Sequence, residues 1–150
     1  METNGEAPVV SASEIEIAAS PEAVWEVLTA FERWPSWNRE VKSMTIEGSV
    51  APGTVFRWKA GPRTITSTIQ EVAPPREIAW TGKTLGIKAI HVWHLDPQNG
   101  RTLVRTAESY EGLVARLFRG PLQKTLDRAL ADGLRYLKDE VEAQAGGGGT

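Results

Sequence analysis

His91 and Glu108 are the two side chains of this sequence whose types and spacing best suit proton transfer. They flank Pro97-Gln98-Asn99-Gly100, and Asn-Gly between apolar runs is a strong hairpin signal because both residues tolerate positive φ. With Asn99-Gly100 as a two-residue turn, Gln98 pairs with Arg101 and paired residue numbers sum to 199. His91 then stands opposite Glu108, Trp93 opposite Thr106 and Leu95 opposite Val104. A four-residue loop would keep the faces and bring Thr106 opposite His91, whereas a bulge would exchange the faces. An imidazole beside a carboxylate in a dry site suits enolisation or dehydration, since the carboxylate can hold one tautomer and raise the basicity of the ring. The same pair can also simply satisfy itself or orient a ligand hydroxyl, and the residues alone leave these alternatives open.

Strand parity decides what shares a face with His91. Along 87–95, one face carries Ile87, Ala89, His91, Trp93 and Leu95, and the other Lys88, Ile90, Val92 and His94. Charge on the second face marks the first as inward. The same alternation makes Phe56, Trp58, Ser67, Ile69, Trp80, Trp93, Thr106 and Tyr110 candidates to line a ligand site. On the last strand Leu103 and Arg105 disagree about which face is buried, which bears on Glu108 more than on His91. Six tryptophans stand against three phenylalanines and two tyrosines, and such rings either fill a core or wall a cavity for an organic ligand. His91 and His94 point to opposite faces and cannot chelate one ion together, so no metal is expected. With no GxGxxG, Walker or GxSxG pattern, no nucleotide cofactor and no serine-hydrolase elbow is expected either.

The elements that must hold these residues can be read in order. Val9 to Ala18 has the β-branched content of a first strand. Ser20-Pro21-Glu22 then caps and opens a helix whose Val24, Val27, Leu28 and Phe31 share a face. It ends near Trp34-Pro35, and Trp37-Asn38 begins a second short helix running to about Val41. Strands follow at Met44 to Glu47, Val55 to Lys59, Thr64 to Val72, Glu77 to Thr81, Ile87 to Leu95 and Thr102 to Tyr110. After Gly112, Leu113, Leu117 and Phe118 lead into a long helix over Pro121 to Ala143. Its stripe of Leu122, Leu126, Leu130, Leu134, Leu137 and Val141 needs a surface of matching length. Short turns make the strands antiparallel. The reading is an α+β chain, a curved antiparallel sheet wrapped around the C-terminal helix.

Composition bounds the rest. A 150-residue chain with 41% apolar and 24% charged residues is one ordinary globular domain, placed here at 9–143. The ends, 1–8 and 144–150, read as flexible termini. The net charge of −2 provides no reason to expect nucleic acid. The absence of cysteine excludes disulfides and thiolate chemistry. No apolar run approaches the roughly 20 residues that span a bilayer, and the acidic start does not read as a signal peptide, so a cytoplasmic protein without integral membrane association is expected.

With these elements placed, the chain resembles the SRPBCC superfamily, which includes START lipid-transfer domains and polyketide cyclase/dehydratase-like proteins. The resemblance rests on Ser20-Pro21-Glu22-Ala23-Val24-Trp25, Trp34-Pro35-Ser36-Trp37-Asn38 and Pro52-Gly53-Thr54-Val55-Phe56. It continues through Pro74-Pro75-Arg76-Glu77-Ile78-Ala79-Trp80, His91-Val92-Trp93-His94-Leu95 and Gly100-Arg101-Thr102. It implies a helix-grip fold with an elongated cavity between sheet and long helix. Three functions remain: binding of a small hydrophobic molecule such as a lipid, quinone or polyketide; cyclase/dehydratase catalysis with His91 as acid/base; or a co-chaperone-like interaction module.

Overall fold

A computed structural model describes residues 1–147 of the chain. Strand β1 (Val9–Ile17) leads to helix α1 (Pro21–Thr29), a single 3₁₀ turn (Phe31–Arg33) and the four-residue α2 (Trp34–Trp37). Strands β2 (Val41–Ile46), β3 (Val55–Ala60), β4 (Arg63–Ala73), β5 (Glu77–Thr84), β6 (Ile87–Gln98) and β7 (Arg101–Glu111) follow. The short α3 (Leu113–Leu117) and the long α4 (Arg119–Gly147) complete the chain. The seven strands form one antiparallel sheet in the order β1-β7-β6-β5-β4-β3-β2, so the first strand closes on the last. This is the helix-grip architecture expected from the sequence.

Local chemistry explains the boundaries. Ser20 accepts from the Ala23 N–H at 3.2 Å with Pro21 at the first helical position, so an exposed donor is satisfied and φ is pre-set where α1 begins. Asn99 and Gly100 both take positive φ, 50° and 82°, and form the two-residue turn of β6–β7. Irregular register between Ile69 and Glu71 in β4, and between Val41 and Ser43 in β2, adds the bends that curl the sheet. Some bounds differ from the sequence reading. The second short helix is Trp34–Trp37 rather than one from Trp37 to about Val41, because Pro35 sits at the start of a helix instead of ending one; β2 accordingly starts at Val41.

The apolar stripe of α4 is buried along its whole length, from Leu122 at 4% exposure to Val141 at 2%. Polar side chains tie the same helix to β1: Gln123 donates to the Val10 carbonyl at 2.8 Å, Lys138 to the Glu16 carbonyl at 2.9 Å, and Glu142 accepts from the Ala18 N–H at 2.8 Å. These contacts occupy backbone groups along an edge strand that would otherwise invite pairing. The core is divided. Leu134, Leu137 and Val141 join α1 and the sheet centre, while Leu122, Leu126 and Leu130 pack with Val9, Ile87 and Ala115 at the other end.

At that other end two glycines let backbones meet. A Cβ on Gly112 would lie 2.4 Å from the Gly86 carbonyl oxygen, and one on Gly86 would lie 2.3 Å from the Val114 side chain. Both also have positive φ. The β5–β6 turn is thereby pressed against α3.

Ordered contacts and helix extend beyond 9–143 at both ends. Residues 1–8, expected to be flexible, make defined contacts: the Asn4 N–H donates to Ser109 Oγ at 3.0 Å and the Met1 amine meets Glu71 at 2.7 Å, because polar groups on the outer face of the sheet offer partners. The helix continues through 144–147 rather than ending at Ala143, since Ala-Gln-Ala sustains it. The remainder of the expected flexible tail, 148–150, lies outside the described residues.

Candidate functional site

Between the two halves of the core lies a cavity of about 330 Å³, within the range of small-molecule sites. The sheet supplies Trp58, Ser67, Trp80, Ala89, His91, Trp93, Glu108 and Tyr110 to its wall. Helix α4 supplies Thr125, Ala129 and Gly133. These three small residues recur every four positions, on a stripe beside the leucines, and hold open the space that leucines would fill. Its rim is polar, with Asn38, Glu40, Arg63 and Lys83.

The β6–β7 ladder pairs His91 with Glu108, Trp93 with Thr106 and Leu95 with Val104, the register a two-residue turn dictates. His91 Nδ1 lies 3.4 Å from Glu108 Oε1. On its other side Nε2 is 2.7 Å from Thr106 Oγ1, whose hydroxyl donates to the Val92 carbonyl at 3.2 Å. A hydroxyl has a single proton, so with that proton on Val92 the threonine accepts from Nε2–H and Nδ1 presents a lone pair toward Glu108. The imidazole is flanked by the rings of Trp80 and Trp93, at 5.1 and 5.2 Å between centroids.

Electrostatics correct one expectation. Burial lowers His91 from the usual 6.5 to about 3, and burial raises Glu108 from 4.5 to about 8. The pair is therefore neutral at pH 7: a carboxylic acid beside an unprotonated imidazole. The expected gain in imidazole basicity from a carboxylate does not arise, because low-dielectric surroundings disfavour both charges. Burial first, and the Glu108 carboxyl second, also push the Tyr110 hydroxyl upward, with Arg63 opposing; Tyr110 remains a donor.

The other candidates separate into two groups. Trp58, Ser67, Trp80, Trp93 and Tyr110 line the cavity. Trp58 donates its indole N–H to Ser67 at 3.1 Å. Phe56 and Ile69, read as lining residues, are instead fully buried. Phe56 packs into the cluster of Phe31, Trp34 and Trp80, with ring centroids at 4.7, 6.0 and 5.5 Å. Parity puts both on the inward face, but α1 and the 3₁₀ turn cover that part of the sheet. Thr106 does not reach the cavity and acts through His91.

Among the described residues, three buried side-chain polar atoms have no hydrogen-bond partner: Trp37 Nε1, His91 Nδ1 and Trp93 Nε1. All three belong to residues that wall the cavity. Leaving a buried polar group unpaired costs about 1–3 kcal/mol, and the His91 atom lies 3.4 Å from Glu108 Oε1. Sequence reasoning treated Trp37 only as a helix start and missed Ala129, Gly133, Arg63 and Lys83; the Thr125-Ala129-Gly133 spacing was the available signal.

A curved sheet, a helix laid across it and an apolar cavity with a few polar groups on its wall define a helix-grip fold with an internal site. The sequence from 8 to 142 matches the family described as polyketide cyclase / dehydrase and lipid transport, and the chain belongs to that family. Comparison with curated proteins finds no match. Among solved structures, a START superfamily protein from Mycobacterium smegmatis superposes with a TM-score of 0.77 at 20% identity, covering 90% of this chain and 98% of that one. The Zhui aromatase/cyclase from Streptomyces sp. R1128 gives a TM-score of 0.80 at 16% identity, covering 91% and 94%. A hypothetical protein from Helicobacter pylori gives 0.81 at 15% identity, covering 91% and 90%. At these identities the likeness is one of fold. The family supports hydrophobic ligand binding or cyclase-type chemistry, and no helix among the described residues is long and apolar enough to cross a membrane.

Proposed function

We propose that the protein binds a compact, oxygen-bearing aromatic molecule, of the quinone or aromatic polyketide type, in the cavity between sheet and α4. The observation that carries this is a cavity walled by the rings of Trp58, Trp80 and Trp93 with Glu108 and Tyr110 on the same wall. These rings would pack on those of the ligand, and His91, 3.4 Å from Glu108, would position that carboxyl. Protonated Glu108 and Tyr110 would donate to carbonyl or phenol oxygens of the ligand. A volume of about 330 Å³ is near the small end for ligand sites and suits a fused ring system better than a two-chained lipid. The cavity is open rather than filled by side chains, which supports this reading over an interaction module.

A second reading, cyclase or dehydratase chemistry, draws on the adjacent Glu108 and His91. In an enolisation, His91 Nδ1 would take the proton from the carbon beside a ligand carbonyl while Glu108 gave its proton to that oxygen. An acid near pKa 8 is well matched to this work at neutral pH, whereas a base near 3 lies several units below the optimum. The balance favours binding.

Trp34, Trp37, Trp58, Trp80 and Trp93 all line the cavity, so intrinsic fluorescence reports occupancy. A panel of hydroxylated naphthoquinones and anthraquinones, titrated with native mass spectrometry in parallel, is expected to give saturable quenching at one ligand per chain. Absence of both quenching and thermal stabilisation across the panel would refute the proposal. Chemical change of a bound ligand, lost in Glu108→Gln, would establish the second reading.

A further inference from the structure

The described residues include four large apolar side chains facing solvent: Leu85 at 90% exposure, Leu113 at 68%, Leu117 at 67% and Phe118 at 55%. Single exposed leucines are ordinary, but these are gathered at one end of the molecule. Leu85 tips the β5–β6 turn, and the next residue, Gly86, lies against Val114 of α3. Leu113 and Leu117 are one turn apart on that helix and share a face, and Phe118 follows directly. The patch also adjoins the cavity rim, since Lys83, Thr84 and Ile87 of the same hairpin line the cavity.

The two segments that carry the patch bear charge of one sign. Segment 83–88 carries Lys83 and Lys88, and segment 112–124 carries Arg116, Arg119 and Lys124, with no Asp or Glu in either. This occurs in a chain whose net charge is −2. The adjacent Glu111 is half buried opposite Lys88, and Glu40 lies on the rim with α2.

We propose that this end of the protein docks on the surface of an anionic lipid bilayer. Leu85, Leu113, Leu117 and Phe118 would enter the boundary of headgroups and acyl chains, and Lys83, Lys88, Arg116 and Arg119 would meet the headgroups. Apolar groups surrounded by arginine and lysine are the pattern that holds interfacial segments on anionic membranes. The geometry favours a fluid surface over a protein groove, because the apolar groups sit on a hairpin tip and a five-residue helix, which project. The docking does not depend on what the cavity holds.

The test is flotation of the full chain with phosphatidylcholine vesicles, with and without phosphatidylserine. Binding is expected only with phosphatidylserine and should weaken with salt. Arg116→Ala and Arg119→Ala should each lower the partition coefficient about five-fold, and Leu117→Ser with Phe118→Ser should abolish binding. All four positions are exposed, so melting temperature should be almost unchanged and confirm a folded protein. Failure to bind phosphatidylserine vesicles, or binding indifferent to these substitutions, would overturn the proposal. Dimerisation dissolved by Leu117→Ser without vesicle binding would overturn it in favour of a contact between copies. Salt-sensitive binding to polyglutamate without vesicle binding would overturn it in favour of an acidic protein partner.

Discussion

Replacing Glu108 by glutamine keeps the shape of the side chain and removes its titration, which makes the buried acid measurable. In the folded protein Glu108 stays protonated to about pH 8, against 4.5 when exposed. Between these values the folded state binds more protons than the unfolded state, so its stability falls as pH rises. His91 acts in the opposite sense: with its folded value near 3 against 6.5, the unfolded state binds more protons between these values, and stability rises with pH. The two slopes cancel from about 4.5 to 6.5, leaving a rise below, a plateau, and a decline from about 6.5 to 8. At about 1.4 kcal/mol per pH unit over the 3.5 units between 4.5 and 8, the full cost of ionising Glu108 in place approaches ~5 kcal/mol. Water entering an open cavity would reduce it toward ~3 kcal/mol. Urea unfolding from pH 4 to 9 tests this. Relative to the parent, Glu108→Gln should become more stable by about 3–5 kcal/mol between the two ends, with the gain accumulating above about pH 4.5. A difference that does not change with pH would show that Glu108 ionises freely and refute the neutral-pair assignment.

Other substitutions test the cavity and its frame. His91→Gln should weaken ligand binding by about one hydrogen bond, roughly 0.5–1.5 kcal/mol, read by fluorescence titration; a loss beyond a hundred-fold would assign His91 a larger role. Ala129→Trp should block the cavity and abolish quenching while leaving the circular dichroism spectrum intact, since position 129 faces the space and not the leucine stripe. Leu134→Ala, at a site 1% exposed, should cost about 2–5 kcal/mol in denaturant unfolding. Ser67→Ala leaves the Trp58 indole N–H without its partner and should cost about 1–3 kcal/mol.

Much of the framework was legible because strong local signals agreed with the tertiary structure. Asn99-Gly100 dictated the β6–β7 register and so the meeting of His91 with Glu108, and the leucine spacing dictated the buried stripe of α4. Parity placed Phe56 and Ile69 on the correct face, yet could not tell which stretch of that face another element covers. The neutral state of the pair was not legible, because it depends on how dry the surroundings are and not on which residues adjoin. The empty space itself was hardest to foresee: Thr125, Ala129 and Gly133 were in plain view, but small residues on a helix leave room only where no neighbour advances to fill it.

The meeting of Gly86 with Gly112 determines how a ligand can enter. Backbone presses on backbone there with no side chain to rotate aside, so the β5–β6 turn and α3 move as one body and any motion between them is blocked by hard contact. Across the cavity the β3–β4 turn is built differently: Gly61 has nothing within 4 Å of where a Cβ would stand, and the rim residues Pro62 and Glu40 are exposed. One jamb of the doorway is set by hard contact between backbones, and the other is tied at its tip by the Gly61 N–H, which donates to the Glu40 carbonyl at 3.2 Å. Widening the entrance on that side costs a main-chain hydrogen bond, whereas on the Gly86–Gly112 side it requires two backbones in hard contact to part.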